Sequence, residues 1–251
     1  MDSVAMRTDA GRNFLFVGGL AIIAAGFVAF FLHTKDTPAP AFSEAACTWD
    51  AQKENCLVNN VIWNTGLKYF EGQVSGKSSY TDTLAALKNL LWSDSGWSLK
   101  FAGAGMAAVR KESVLPLRVL AKDSSGCLGL AWLAMMIAER EKFPLEAVLL
   151  PSHITLRYHG IYIEPNRQGY AYSEEEYRRK YATGHWTGFE WTPLTRAQFL
   201  GLAAFNLGNA EKDRNPKIAV NWYELAEKLF PGYPGIRINK NFAEKKIKEI
   251  R

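Results

Sequence analysis

Residues 14–32, FLFVGGLAIIAAGFVAFFL, run for 19 positions without a charge. As a helix they would span roughly 28 Å, close to the ~30 Å hydrocarbon core of a bilayer. A cleaved leader would carry an apolar stretch of only about 7–15 residues, with a small-residue cleavage site close behind. Here the nearest such site, Ala39-Pro40-Ala41, lies past the run and around proline, and Glu44 spoils a lipid-attachment motif before Cys47. The run therefore predicts an uncleaved transmembrane anchor. Arg7, Arg12 and the terminal amine precede it, and only Lys35 follows closely. That asymmetry predicts a single-pass protein with residues 1–13 cytoplasmic and 33–251 extracytoplasmic, periplasmic in a Gram-negative bacterium. Residues 33–46 then form a linker, with Thr37-Pro38-Ala39-Pro40-Ala41 as a stiff, extended spacer.

Beyond the anchor the chain reads as globular. With 48% hydrophobic and 22% charged residues it has the material for a packed core and is not a disordered or collagen-like chain. The formal charge of +5 is dispersed. Its densest cluster, Lys240, Lys245, Lys246, Lys248 and Arg251, is interrupted by Glu244 and Glu249 and reads as a solvated helix face, so no nucleic-acid partner is expected. Three cysteines are too few for a disulfide scaffold. Cys47 and Cys56 stand close enough in sequence for a local bridge in an oxidising compartment, or are two unpaired small hydrophobes. If they pair, Cys127 is left as an odd thiol that needs a reason.

Helical spacing dominates residues 48–110. One run passes Leu57, Val61 and Trp63 toward Phe70 and is expected to end at Gly72; a second, capped by Thr81 or Asp82, carries Leu84, Leu87 and Leu90. Residues 97–120 have no clear period, although Pro116 marks a boundary. A largely buried helix is predicted from Cys127 until Phe143-Pro144, then a strand over Glu146–Leu150. ITLRY and IYIE form a hairpin around a two-residue turn at His159-Gly160. Residues 172–181 read as a helix capped by Ser173, followed by the aromatic loop GHWTGFEWTP. Helices over 195–211, 216–230 and 236–250 complete the chain.

The hairpin carries the chemistry. Alternation places His153, Thr155, Arg157, Tyr162, Glu164 and Asn166 on one face, and Ile154, Leu156, Tyr158, Ile161 and Ile163 on a core face. Thr155 would then oppose Glu164, and His153 would oppose Asn166. His153 and Glu164 become diagonal neighbours within reach of a hydrogen bond, the orienter–base half of a catalytic triad. Cys127 opens a helix behind Gly126, where free N–H groups and the helix dipole depress a thiol pKa and could hold an oxyanion. Each residue also has a plain reading: Cys127 as core filler, His153 as a solvated strand residue, Glu164 as a surface partner of Arg157.

Gly126-Cys127-Leu128-Gly129-Leu130-Ala131, then Leu150-Pro151-Ser152-His153 with Leu156-Arg157-Tyr158, then Ile163-Glu164-Pro165-Asn166 resemble the SirB1-type branch of the transglutaminase-like superfamily. The resemblance covers about 115–195 well. It implies an α+β, papain-like core with a small antiparallel sheet, and thiol chemistry on amide or peptide bonds. Its Cys, His and acid fall on Cys127, His153 and Glu164, although the wider superfamily usually has Asp at the last position. Asn206-Leu207-Gly208-Asn209-Ala210, with Ala219, Tyr223, Ala226 and Pro231, resembles one tetratricopeptide unit, which cannot bury its apolar face alone and is expected to pack on the preceding domain.

The sequence thus predicts a transglutaminase-like domain over 47–194 and a tetratricopeptide-like helical domain over 195–251. The leading function is a membrane-anchored peptidase, amidase or acyl transferase with a peptide or protein substrate. Cys127 attacks, His153 moves protons and Glu164 orients it, with no cofactor and no metal. The competing reading is a catalytically silent scaffold whose C-terminal helices dock a protein partner.

Overall fold

The computed structural model describes residues 39–249 apart from 53–55 and 185, and Ala39–Arg251 form one compact unit. The expected anchor over 14–32 lies outside the described residues. Among the described residues no helix is long and apolar enough to cross a membrane.

Helices α1 (Phe42–Thr48), α2 (Val61–Val74) and α3 (Tyr80–Trp92) come first. A disulfide ties Cys47 in α1 to Cys56, the first residue of a 3-10 turn, with a Cα separation of 5.7 Å. The Asn60 side chain caps α2 by accepting from the Trp63 N–H. This helix runs on through Gly72, where the sequence predicts its end. Gly72 borders open space, and a helical glycine costs only about 1 kcal/mol, less than the burial of Trp63, Leu67 and Phe70 returns. Helix α3 is capped by Ser79, which accepts from the Thr81 N–H, and not by Thr81 or Asp82.

The aperiodic stretch folds as short pieces: β1 (Lys100–Phe101), α4 (Met106–Val109), α5 (Lys111–Val114), α6 (Pro116–Lys122) and β2 (Ser124–Ser125). Pro116 occupies the first turn of α6, where its missing N–H removes no bond. Strand β2 pairs in parallel with β1 and leads straight into α7 (Cys127–Glu141). Helix α7 is apolar on nearly every side because it is enclosed on nearly every side; Leu130, Ala131, Trp132, Leu133, Ala134 and Ile137 are fully buried. Trp132 meets Trp49 and Phe199 edge to face, and its indole N–H donates to the Phe42 carbonyl at 3.2 Å.

Two glycines let the chain crowd the start of this helix. A Cβ on Gly126 would lie 2.7 Å from the Ala108 Cβ, and one on Gly129 would lie 2.3 Å from the Ser113 carbonyl oxygen and from Ser125 Oγ. Backbone cannot swing aside as a side chain can. Gly129→Ala is therefore expected to destabilise the protein by about 1–3 kcal/mol, measured by denaturant or thermal unfolding; an unchanged midpoint would refute the close packing of α5 on α7.

Strands β3 (Glu146–Leu150), β4 (His153–Tyr158) and β5 (Ile161–Ile163) form an antiparallel sheet in that order. His159 and Gly160 both take positive φ in the two-residue turn. The register is the one the sequence predicts at Tyr158↔Ile161 and Arg157↔Tyr162. It does not extend to Thr155 opposite Glu164 or His153 opposite Asn166. Strand β5 stops at Ile163, because Pro165 has no N–H to donate and residues 165–167 wind into a 3-10 turn with Glu164 as its N-cap.

The polar face of the hairpin is buried as well as the apolar one. His153, Thr155, Tyr162 and Glu164 lie beneath α8 (Glu174–Tyr181) and a cluster that includes Tyr172, Tyr177, Tyr181 and Trp191. Helix α8 begins with the expected Ser173 cap, closed into a box by Glu176. Trp191 is also tied to the sheet, its N–H donating to the Leu149 carbonyl at 2.9 Å.

Helices α9 (Arg196–Glu211), α10 (Pro216–Leu229) and α11 (Pro234–Glu249) end the fold within a few residues of their expected bounds. Glycines again set the closeness of approach: Gly208 packs on the Tyr223 ring and Gly201 on Phe230. Helix α9 does not lie on the periphery. Phe199, Leu200, Ala203 and Leu207 are fully buried in the same core as α7.

Candidate functional site

Three elements converge at the N-terminus of α7. Cys127 is its first residue and remains half-buried. Gly126, the N-cap, has no side chain to satisfy the N–H groups of the first turn, so those donors stay available beside the sulfur. His153 opens β4 directly after Pro151-Ser152, where Ser152 takes a left-handed φ of 58°. That tight turn delivers the imidazole to the α7 terminus. Glu164 is held at the end of β5, where its N–H donates to the Tyr170 carbonyl at 2.9 Å.

The imidazole Nε2 lies 3.0 Å from both carboxylate oxygens of Glu164. Nδ1 is thereby the nitrogen left for the thiol, which interacts with the ring. Glu164 is fully buried, and its charge is met on three sides: Nε2, the Asn166 N–H at 3.0 Å and the Tyr177 hydroxyl donating at 3.2 Å. The Thr155 hydroxyl donates to the Ile163 carbonyl at 2.9 Å and sits 2.9 Å from the Tyr177 hydroxyl. Tyr181 stacks on the His153 ring, with centroids 5.3 Å apart and planes 7° from parallel. The imidazole is thus fixed along its edge by a carboxylate and across its face by a phenol.

Charge in this pocket is unevenly shared. Burial pulls the His153 pKa down, but hydrogen bonds to the Cys127 sulfur and to Glu164 outweigh it and carry the imidazole up to about 9. For Cys127, burial raises the pKa, and hydrogen bonding and charge from His153, with the Ile154 N–H, bring it below its ordinary value. Burial likewise raises Glu164, and the His153 contact reverses the sign, leaving the carboxyl below its usual range. Burial and the neighbouring Glu164 push Tyr177 and Tyr181 far upward, so both remain neutral. The arrangement shifts the thiol and the carboxyl toward their anions and the imidazole toward its cation. Such a set can attack a carbonyl carbon and hand a proton to a leaving group.

Cys127 and His153 border a cavity of about 330 Å³, lined by residues of β3, β4, α4 and the start of α7 together with Leu202, Phe205, Asn206 and Tyr233. A larger hollow of about 540 Å³ lies elsewhere, around Trp63, Met136 and Arg196, and carries neither cysteine nor histidine. Among the described residues no group of three His, Cys, Asp or Glu is arranged to hold a metal ion.

Cys127, His153 and Glu164 are therefore brought together, although Glu164 arrives as the cap of a 3-10 turn and not as a strand neighbour. Arg157 pairs with Glu146 at 2.6 Å and not with Glu164. The Trp186–Trp191 loop does not line the cleft; Trp191 lies under Arg178 with 4.5 Å from guanidinium to ring centroid. Sequence reasoning missed Tyr177 and Tyr181, whose spacing of four on α8 places both on one helix face. It also missed the cleft wall from α9, for which the local sequence carries no signal.

A family model of the transglutaminase-like superfamily matches residues 64–199, which include all three site residues. Neither the curated proteins nor the solved structures contain a significant match to the chain.

Proposed function

Because this chain belongs to the transglutaminase-like superfamily, we propose that it is a thiol enzyme acting on amide or peptide bonds through Cys127, His153 and Glu164. The observation that carries this reading is that Cys127, at the start of α7, borders one cavity with His153, whose Nε2 is held 3.0 Å from both oxygens of the buried Glu164. The Cys127 thiolate attacks the carbonyl carbon and forms a C–S bond. The carbonyl oxygen, now an anion, sits against the N–H groups that open α7. As the C–N bond breaks, His153 gives its proton to the departing amine. Water or an amine then yields a proton to His153 and attacks the thioester, releasing the acyl group and restoring the thiolate. Glu164 orients the ring and stabilises its charged form throughout.

Cysteine alkylation tests the ion pair without a known substrate. The iodoacetamide rate at Cys127 should rise with pH through a midpoint below the ordinary thiol value of 9.0, because the thiolate is the reacting form. In His153→Ala the midpoint should move upward, since burial alone disfavours the thiolate. A wild-type midpoint at or above 9.0, unmoved by the substitution, would overturn the reading.

We further read the domain as a SirB1-type member that carries a tetratricopeptide-like unit over 195–251 and is anchored by residues 14–32 with 33–251 outside the cytoplasm. The uncharged run, the flanking Arg7 and Arg12, and the Cys47–Cys56 bridge behind it support this topology. Full-length protein should remain in the membrane after alkaline carbonate extraction and be digested by protease added to spheroplasts. Recovery in the soluble fraction at full mass would count against it.

A further inference from the structure

The cavity beside Cys127 has a composition that its chemistry does not require. No Asp, Glu, Lys or Arg lines it, and part of its lining comes from residues outside the helix and hairpin that hold the reactive groups. Leu202, Phe205 and Asn206 come from α9, and Tyr233 from the turn before α11. Leu128, Leu149 and Ile154 add apolar surface to the same lining. Asn206 is half-buried. At about 330 Å³ the space is at the small end of ligand sites. It suits one side chain or a short acyl group and is too small for a folded partner.

We propose that this cavity selects substrates by an uncharged, apolar acyl group next to the carbonyl that Cys127 attacks, with α9 and Tyr233 as the specificity wall. The proposal rests on the thiol-enzyme reading above and adds the substrate class to it. A charged acyl group would lose its hydration here and find no counter-ion. Each buried methylene would gain contact with Leu202 and Phe205. Asn206, with the hydroxyls of Ser152 and Tyr233, would supply the uncharged polar contacts that orient an amide.

The test uses 4-nitrophenyl acetate, hexanoate and hydrogen succinate with the folded protein. In each case the thiolate displaces nitrophenolate: a C–S bond forms, the ester C–O bond breaks, and intact mass reports the thioester. Rates are divided by those with a free small thiol to remove intrinsic reactivity. The wild type should favour hexanoate over acetate by about 10–200-fold and disfavour succinate. Phe205→Ala should bring the hexanoate-to-acetate ratio toward one. Asn206→Lys, at a half-buried position, should raise succinate relative to hexanoate by at least about tenfold. Acylation at equal normalised rates for all three esters would overturn the proposal while leaving the thiol enzyme intact. If no ester acylates Cys127, hexanamide and succinamate are compared as protectants against iodoacetamide. Protection by hexanamide alone would uphold the apolar cleft and defeat the enzyme reading; equal protection, or none, would defeat the cleft as well.

Discussion

Turnover is expected to fall to background in Cys127→Ala and by about 10²–10⁴-fold in Glu164→Gln, with both proteins folded. The first change removes the atom that forms the bond. The second keeps the shape of the side chain and removes its charge. Nε2 of His153 now faces both carboxylate oxygens at 3.0 Å. An amide in that place presents either an oxygen without formal charge or an NH₂ group. The NH₂ would force the imidazole proton onto Nδ1, the nitrogen that has to receive a proton from the nucleophile. In either orientation the imidazole loses the partner that helps raise it to about 9, and the thiolate loses its counter-ion. Glu164→Asp, the usual superfamily acid, should recover part of the rate. Near-wild-type turnover in Glu164→Gln, measured as acyl transfer or hydrolysis with any accepted ester or amide, would remove Glu164 from the mechanism.

Glu164→Ala should be far more damaging to the fold, by about 3–5 kcal/mol. The carboxylate is fully buried and accepts from His153 Nε2, the Asn166 N–H and the Tyr177 hydroxyl. Truncation leaves these donors facing a void. The loss should depend on pH with a definite shape. Glu164 has its folded pKa depressed below 4.5, so its contribution is present above 4.5 and vanishes as pH falls through the folded value. His153 has its folded pKa raised from 6.5 to about 9, so its contribution is complete below 6.5 and is lost as pH rises through about 9. The difference in unfolding free energy between wild type and Glu164→Ala should therefore be widest between pH 4.5 and 6.5 and shrink on both sides. Denaturant unfolding across pH 3.5–9.5 measures it; a pH-independent difference would mean that the pair is not ionised in the folded protein.

What could be read from the sequence follows the range of each interaction. The two-residue turn at His159-Gly160, the Ser173 box and the apolar girth of α7 are settled by residues a few positions apart, and all three can be read locally. Cys127 opens one helix, and His153 begins and Glu164 directly follows one hairpin, so spacing and family resemblance together could nominate them. Glu164 nevertheless reaches His153 from a 3-10 cap and not from the strand register. Alternation identifies the apolar face of β4, but it cannot tell that Tyr177 and Tyr181 will roof the other. Tyrosines can cover a charged pair because each brings both a ring and a hydroxyl, and in a sequence they look like ordinary surface aromatics. The wall from α9 was illegible for a stronger reason. Leu202 and Phe205 have the spacing of any core-facing helix, and only the completed fold turns them toward Cys127.

The edge-to-face contacts of Trp132 with Phe199, and of Phe199 with Phe42, have a consequence for how the molecule must be made. Phe42 enters from the first described helix and Phe199 from a helix near the other end of the chain, and both close over the central tryptophan. During synthesis the cysteine helix and the hairpin leave the ribosome well before Phe199 does. Until α9 arrives, α7 has an uncovered side, so the nascent chain carries its reactive groups on an unfinished core. Final consolidation is thus expected only after the C-terminal helices have been released, in a single late step and not domain by domain. An expression fragment limited to residues 64–199 would lack Phe42 and most of α9. It should behave as a loosely packed, aggregation-prone species, even though it contains every residue that the chemistry uses.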